Sequence, residues 1–144
     1  MRARRIQNTL KNEKGQNLVE FALVVPLLLL LVIGIAEFGR AWMVKNILTG
    51  AAREAVRMAA VPAPAGMDNA TWNAAINARA DNILKSAGIT VPAGNIKVFL
   101  GGGTFEPVVV TVDYDFPVVI AGFIPGLDCT TILLSSTTTM RREY

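Results

Sequence analysis

The chain predicts an α+β protein: a long N-terminal helix, first transmembrane and then amphipathic, packed on a small domain of one further helix and roughly three antiparallel strands. Three observations carry this reading. Residues 18–36 form an apolar run broken only by Glu20. Residues 37–60 continue at helical spacing with their charges off the apolar stripe. The last third consists of β-branched and aromatic segments separated by glycine and proline.

At 1.5 Å per helical residue, residues 18–36 reach about 28 Å, close to the thickness of a hydrocarbon core. They predict one membrane-spanning helix surrounded by lipid. The head that precedes it carries Arg2, Arg4, Arg5, Lys11 and Lys14 against Glu13 alone. By the positive-inside rule that keeps the N-terminus cytoplasmic and places everything after Arg40 outside. Of the net charge of +3 the head supplies +4, leaving 9 basic against 10 acidic residues beyond it. The basic balance therefore reports topology. A nucleic-acid surface needs basic residues clustered on the folded part, so no nucleic-acid partner is expected.

The spanning segment runs without a turn signal into a stalk in which Val44, Ile47, Leu48, Ala51, Ala55, Val56 and Ala59 recur at three- and four-residue steps. Lys45, Arg53, Glu54 and Arg57 fall largely off that stripe, so one side packs on a domain. The result is one helix of about 60 Å. Pro26 removes a backbone hydrogen bond and predicts a bend near Ala22. Gly34 and Gly39, with Ala36 and Ala41, form a small-residue patch where another helix can approach. Glu37 and Arg40, three apart, form an ion pair where the helix leaves the membrane, with subunit packing as their alternative role.

Val61-Pro62-Ala63-Pro64-Ala65-Gly66 ends the long helix, because the residue before a proline is pushed out of the α region. Asp68 caps a second helix over residues 69–87, whose apolar face is Trp72, Ala75, Ile76, Ala80, Ile83 and Leu84 and whose stop is Gly88. Strands are predicted at residues 96–100, 108–116 and 130–140, in an antiparallel meander. Gly101-Gly102-Gly103-Thr104 is the first hairpin loop. The second connection, 117–128, is unusually apolar and is predicted to be partly buried or in contact with membrane or a partner. The chain thus divides into a basic head at 1–15, a transmembrane and stalk helix at 16–60, a linker at 61–68 and an outer α+β domain at 69–144.

No histidine is present, which excludes histidine triads and histidine zinc sites, and the single Cys129 excludes a multi-cysteine cluster and any intrachain disulfide. Cys129 reads as a small buried apolar residue. The glycine triplet lacks the lysine of a phosphate loop. Asp113 and Asp115 alternate onto one strand face, with Asp128 as a third oxygen source for calcium; a solvated sheet face is the simpler account. No cofactor, metal or catalytic residue is assigned, and no enzyme activity is expected, because no carboxylate pair in a cleft is evident.

Glu20 is the exception, since a carboxylate within a membrane segment is costly and usually functional. Its plain alternative is a side chain reaching back to the cytoplasmic headgroups. Its setting, Lys14-Gly15-Gln16-Asn17-Leu18-Val19-Glu20, combines a short basic leader, a glycine and a glutamate five positions later, followed by an apolar helix. That arrangement resembles type IV prepilins. Gly15-Gln16-Asn17-Leu18-Val19-Glu20-Phe21-Ala22-Leu23-Val24-Val25-Pro26, with Gly34-Ile35-Ala36-Glu37-Phe38-Gly39-Arg40 and Ala51-Ala52-Arg53-Glu54-Ala55-Val56-Arg57, resembles more closely the TadE-like family of pilin-related proteins. The Thr/Ser-rich strand ending in Met140-Arg141-Arg142-Glu143 is similar to that family's C-terminal part, whereas residues 69–103 match nothing in it.

The resemblance implies a minor pilin of a tight-adherence (Flp) type IV pilus, with a role in pilus biogenesis and adhesion. Its partners would be a prepilin peptidase that cuts between Gly15 and Gln16, the inner-membrane assembly platform with its ATPase, other pilins, and membrane lipid before assembly. Glu20 would then pair with the freed amino group of Gln16 on an adjacent subunit and help set axial register in low dielectric. Phe21 and Pro26 belong to the same assembly segment. Gly15 suits cleavage because it interrupts a helix that would hide the scissile bond. Asn17 departs from the small or apolar residue frequent there. Major Flp pilins have little beyond their helix, so the outer domain favours a minor role over the main filament subunit. Two readings compete: an uncleaved single-pass anchor for an envelope-binding domain, and a secreted protein with an ordinary signal peptide, whose apolar run would exceed the usual ~7–15 residues.

Overall fold

The structure, a computed structural model, describes residues 13–102, 106–119, 121 and 130–142. It divides into two units, Met1–Ala36 and Glu37–Tyr144. The elements are α1 (Glu13–Ala59), α2 (Asn69–Ser86), a 3-10 turn (Ala93–Asn95), β1 (Ile96–Phe99), β2 (Pro107–Pro117) and β3 (Thr131–Arg141). The predicted α+β class, with its long helix, second helix and three-stranded antiparallel sheet, is what the chain adopts.

In the first unit, α1 begins at Glu13 and runs through Gly15 and on through Pro26. The helix break expected at Gly15 is therefore absent in the uncleaved chain. A single glycine costs about 1 kcal/mol relative to alanine, and once a helix is nucleated its good formers on either side carry propagation through one such residue.

In the second unit the stalk stripe becomes a core wall. Leu48, Ala51, Ala52, Ala55, Val56 and Ala59 are buried, and Val44 and Ile47 pack against them partly covered. Arg53 and Arg57 stay exposed, as their off-stripe positions require. The run of small side chains lets Trp72, Ile76, Ala80 and Leu84 of α2, together with Ile96, Val108, Val110 and Val112 of the sheet, join the same core. Arg79 of α2 reaches Glu54 of α1 at 2.9 Å across the surface, and that bond holds the Glu54 carboxyl below its ordinary range.

The ends of these helices follow local chemistry. Pro62 stops α1 after Ala59. A tight turn follows, closed by Met67 N–H donating to the Pro64 carbonyl at 3.0 Å, with Gly66 at φ 86° in its third position. Asp68 caps α2, its carboxylate accepting from Thr71 N–H. At the other end Gly88, at φ 75°, lets its N–H donate to the Lys85 carbonyl and that of Ile89 to the Leu84 carbonyl, at 3.0 and 2.9 Å. Ile89 and Leu84 are both buried there, which completes a Schellman stop with its apolar contact.

The sheet is a meander in the order β1-β2-β3, both pairs antiparallel. Val108, Val110, Val112 and Phe116 point inward along β2 and are buried. Register places Val112 opposite Ser136, whose buried hydroxyl lies 3.0 Å from that of Thr49 on α1. Thr49 already donates to the Lys45 carbonyl at 2.9 Å, so Ser136 donates to Thr49. In the first hairpin, a Cβ on Gly101 would come within 2.5 Å of the Glu106 Cβ, so only glycine fits at that close approach. Residues 103–105, with Gly103 and Thr104 of the predicted loop, lie outside the described residues, as do Cys129, Asp128 and most of the apolar second connection.

Truncating Ile76, wholly buried between α1 and the sheet, should lower unfolding free energy by about 2–5 kcal/mol. Phe99→Ala, at a side chain 62 % exposed, should change it by less than about 0.5 kcal/mol. Urea denaturation of the detergent-solubilised protein checks both.

Candidate functional site

The sequence-predicted site residues fall into two groups, one in each unit. In the first unit, α1 presents apolar side chains on every side: Leu18, Phe21, Leu23 and Leu27 are each exposed, as are Leu28, Leu30 and Ile35. The most apolar window of this helix has 0 % of its residues buried. Each such side chain left in water forgoes about 1.5–3 kcal/mol. The segment therefore requires lipid or other helices around it.

Within that segment Gln16 and Glu20 are both exposed and stand four residues apart, which puts them on one helix face a turn from each other. Gly15 is partly covered and Pro26 lies inside the helix. A Cβ added to Gly34 or to Gly39 would meet no atom within 4 Å. Both positions are thus open notches on α1.

In the second unit the Glu37–Arg40 pair is formed, at 2.7 Å, and does more than pair. The Arg40 guanidinium also donates to the Pro117 carbonyl at 2.5 Å and stacks over the Phe116 ring, 4.4 Å from its centroid. The second Glu37 carboxylate oxygen accepts from Val119 N–H at 3.0 Å. Together they clamp the end of β2 to α1, satisfying two backbone groups that the sheet leaves unpaired. Sequence spacing shows the pair. It contains no signal for a partner strand some 80 positions away. Lys45, nominally off the stripe, likewise donates to the Ser135 carbonyl on β3.

Asp113 and Asp115 do share the outer face of β2, but Asp113 is engaged. It accepts from Lys97 on β1 at 2.9 Å and from Ser135 on β3 at 2.5 Å. The Ser135 hydroxyl and then the Lys97 ammonium hold its carboxyl below the ordinary range. Among the described residues no group of three or more His, Cys, Asp or Glu side chains is placed to hold a metal.

An uncovered apolar helix preceding a small α+β domain in the chain has the features of a membrane-anchored protein, and what it offers is a surface for lipid or other helices. Residues 15–57 match the family model described as TadE-like protein, in agreement with the resemblance drawn from the same segment. That match lies within α1 and leaves α2 and the sheet outside it. No curated protein and no solved structure matches the chain.

Arg40→Met, which keeps the stem and loses the charge, should destabilise the outer domain by about 1–3 kcal/mol, since it strips partners from Glu37 and from the Pro117 carbonyl. Glu37→Gln, which keeps an acceptor for Val119, should cost less; denaturant unfolding of each variant checks the order. Because Asp113 has a lowered folded-state pKa, its contribution is present above about pH 4 and is lost as pH falls through the folded value. With Lys97 67 % exposed, that contribution is under about 1 kcal/mol. Asp113→Asn should accordingly lower stability at pH 7 and flatten the acid limb of a stability–pH curve.

Proposed function

We propose that the protein is a minor pilin of a Tad/Flp type IV pilus, held in the inner membrane by α1 until it is assembled. In this reading the basic head stays cytoplasmic, a prepilin peptidase cuts between Gly15 and Gln16, and the assembly platform with its ATPase draws the mature helix into a bundle with other pilins. Glu20 then faces the freed amino group of Gln16 on a neighbour and sets the register. The protein acts in pilus biogenesis and adhesion and turns over no substrate.

The observation that carries this is the conjunction of Gly15, Glu20 and an uncovered apolar helix within the one segment that matches the TadE-like model. The folded outer domain supports a minor subunit over the main filament subunit, because it adds bulk beyond the packing helix. The helical state of Gly15 bears on mechanism: cleavage there requires the first turns of α1 to unwind in the peptidase, for which glycine's low helix propensity is suited.

Intact mass and N-terminal sequencing of protein purified from its native membrane test the reading. Gln16 is the expected first residue, replaced by the unprocessed chain in Gly15→Ala. Residues 1–15 retained in the wild type would instead leave an uncleaved anchor carrying an envelope-binding domain. Glu20→Gln should still be processed but should enter pili at a reduced level, measured by immunoblot of sheared filaments.

A further inference from the structure

The second unit carries an apolar patch at the end where the chain enters it. Phe38 and Trp42, 69 % and 62 % exposed, stack with ring centroids 6.2 Å apart. Trp42 lines a groove with Lys45 of α1 and with Leu133, Leu134 and Ser135 of β3. Leu133 is 61 % exposed, and Ile132 and Val119 are exposed as well. Register explains why these residues meet. Thr131 and Ile132 pair with Pro117 and Phe116, and Arg40 holds that end of β2 through the Pro117 carbonyl and the Phe116 ring.

We infer that this patch is a second membrane contact, by which the outer domain rests on the surface of the bilayer that α1 crosses. Three observations favour lipid as the occupant. First, the patch is continuous with the spanning segment: Phe38 and Trp42 follow Ala36 by about 3 and 9 Å of helix, the depth at which tryptophan and its neighbours gather at a bilayer interface. Second, Ile132 and Leu133 are consecutive in β3 and so point to opposite faces of the sheet, yet both are uncovered. A single flat protein partner covers one face, whereas a fluid lipid interface reaches the exposed tips on both, with the exposed Asp115 opposite Leu133 left on its aqueous side. Third, Lys45 lines the groove and Arg40 stacks over Phe116 at its edge, long cationic side chains of the kind that place apolar stems in an interface and charges in the headgroups.

The inference rests on α1 crossing the bilayer, and the test separates the two. In a Cys129→Ser background, single cysteines at Leu28→Cys, Leu133→Cys and Phe99→Cys carry a nitroxide in the full chain reconstituted into phosphatidylethanolamine/phosphatidylglycerol vesicles. Accessibility to oxygen and to a water-soluble nickel chelate is read by power saturation. Phe99 is the control, an exposed apolar residue about 20 Å from Leu133 along the sheet.

The expected result is a label at 28 reached by oxygen alone, a label at 133 with nickel accessibility severalfold below that at 99, and no change on dilution with empty lipid. Equal nickel accessibility at 133 and 99, with 28 still shielded, overturns the surface contact and leaves the span intact. Shielding at 133 that disappears on dilution assigns the patch to a second copy of the chain and also overturns it. Nickel access at 28 removes the span and the inference together.

Discussion

The alanine side of α1 is the constraint on which the outer domain depends. Ala51, Ala52, Ala55 and Ala59 are wholly buried with Leu48 and Val56, so the helix presents a surface with little relief, and the larger residues of α2 and the valine face of β2 supply the bulk. A larger residue at any of these buried positions would overpack the core. The same helix has the opposite requirement in the first unit, where every side is apolar and nothing covers it. One continuous element thus satisfies two solvents, and its composition changes from leucine and valine to alanine where the solvent changes.

Glu37 and Arg40 stand where that change occurs. They follow the uncovered apolar stretch of α1 directly, and they spend their hydrogen-bonding capacity on the backbone at the end of β2. This ties the start of the second connection, at Pro117 and Val119, to α1. Two side chains one helical turn apart thus fix where the strand leaves the sheet.

Much of this was legible because its causes are local. Asp68, Gly88 and the Pro62-Ala63-Pro64 run each act on the few residues beside them, and the bounds of α2 and the end of α1 fall within a residue or so of where those signals place them. Alternation along β2 is equally local, and the inward valines are the ones buried. What the residues do not announce is long-range. Nothing near Arg40 points to Pro117, nothing near Thr49 points to Ser136, and Ala52 lies at the margin of the apolar stripe until the sheet closes over it. Gly15 misled for a related reason: a low propensity at one position is outweighed by the cooperativity of the helix around it.

The pairing of Thr49 and Lys45 with Ser136 and Ser135 joins the earliest part of the domain to the latest. A chain threaded outward from its N-terminus exposes the alanine side of α1 while β3 is still to emerge, so the core cannot close by increments. Folding must wait for the last strand, and until then the unfinished domain presents apolar surface to its surroundings. An anchored helix limits the hazard, because it holds that surface close to one bilayer and away from free diffusion. The order of elements along the chain therefore makes β3, the last to be made, the element on which closure of the core depends.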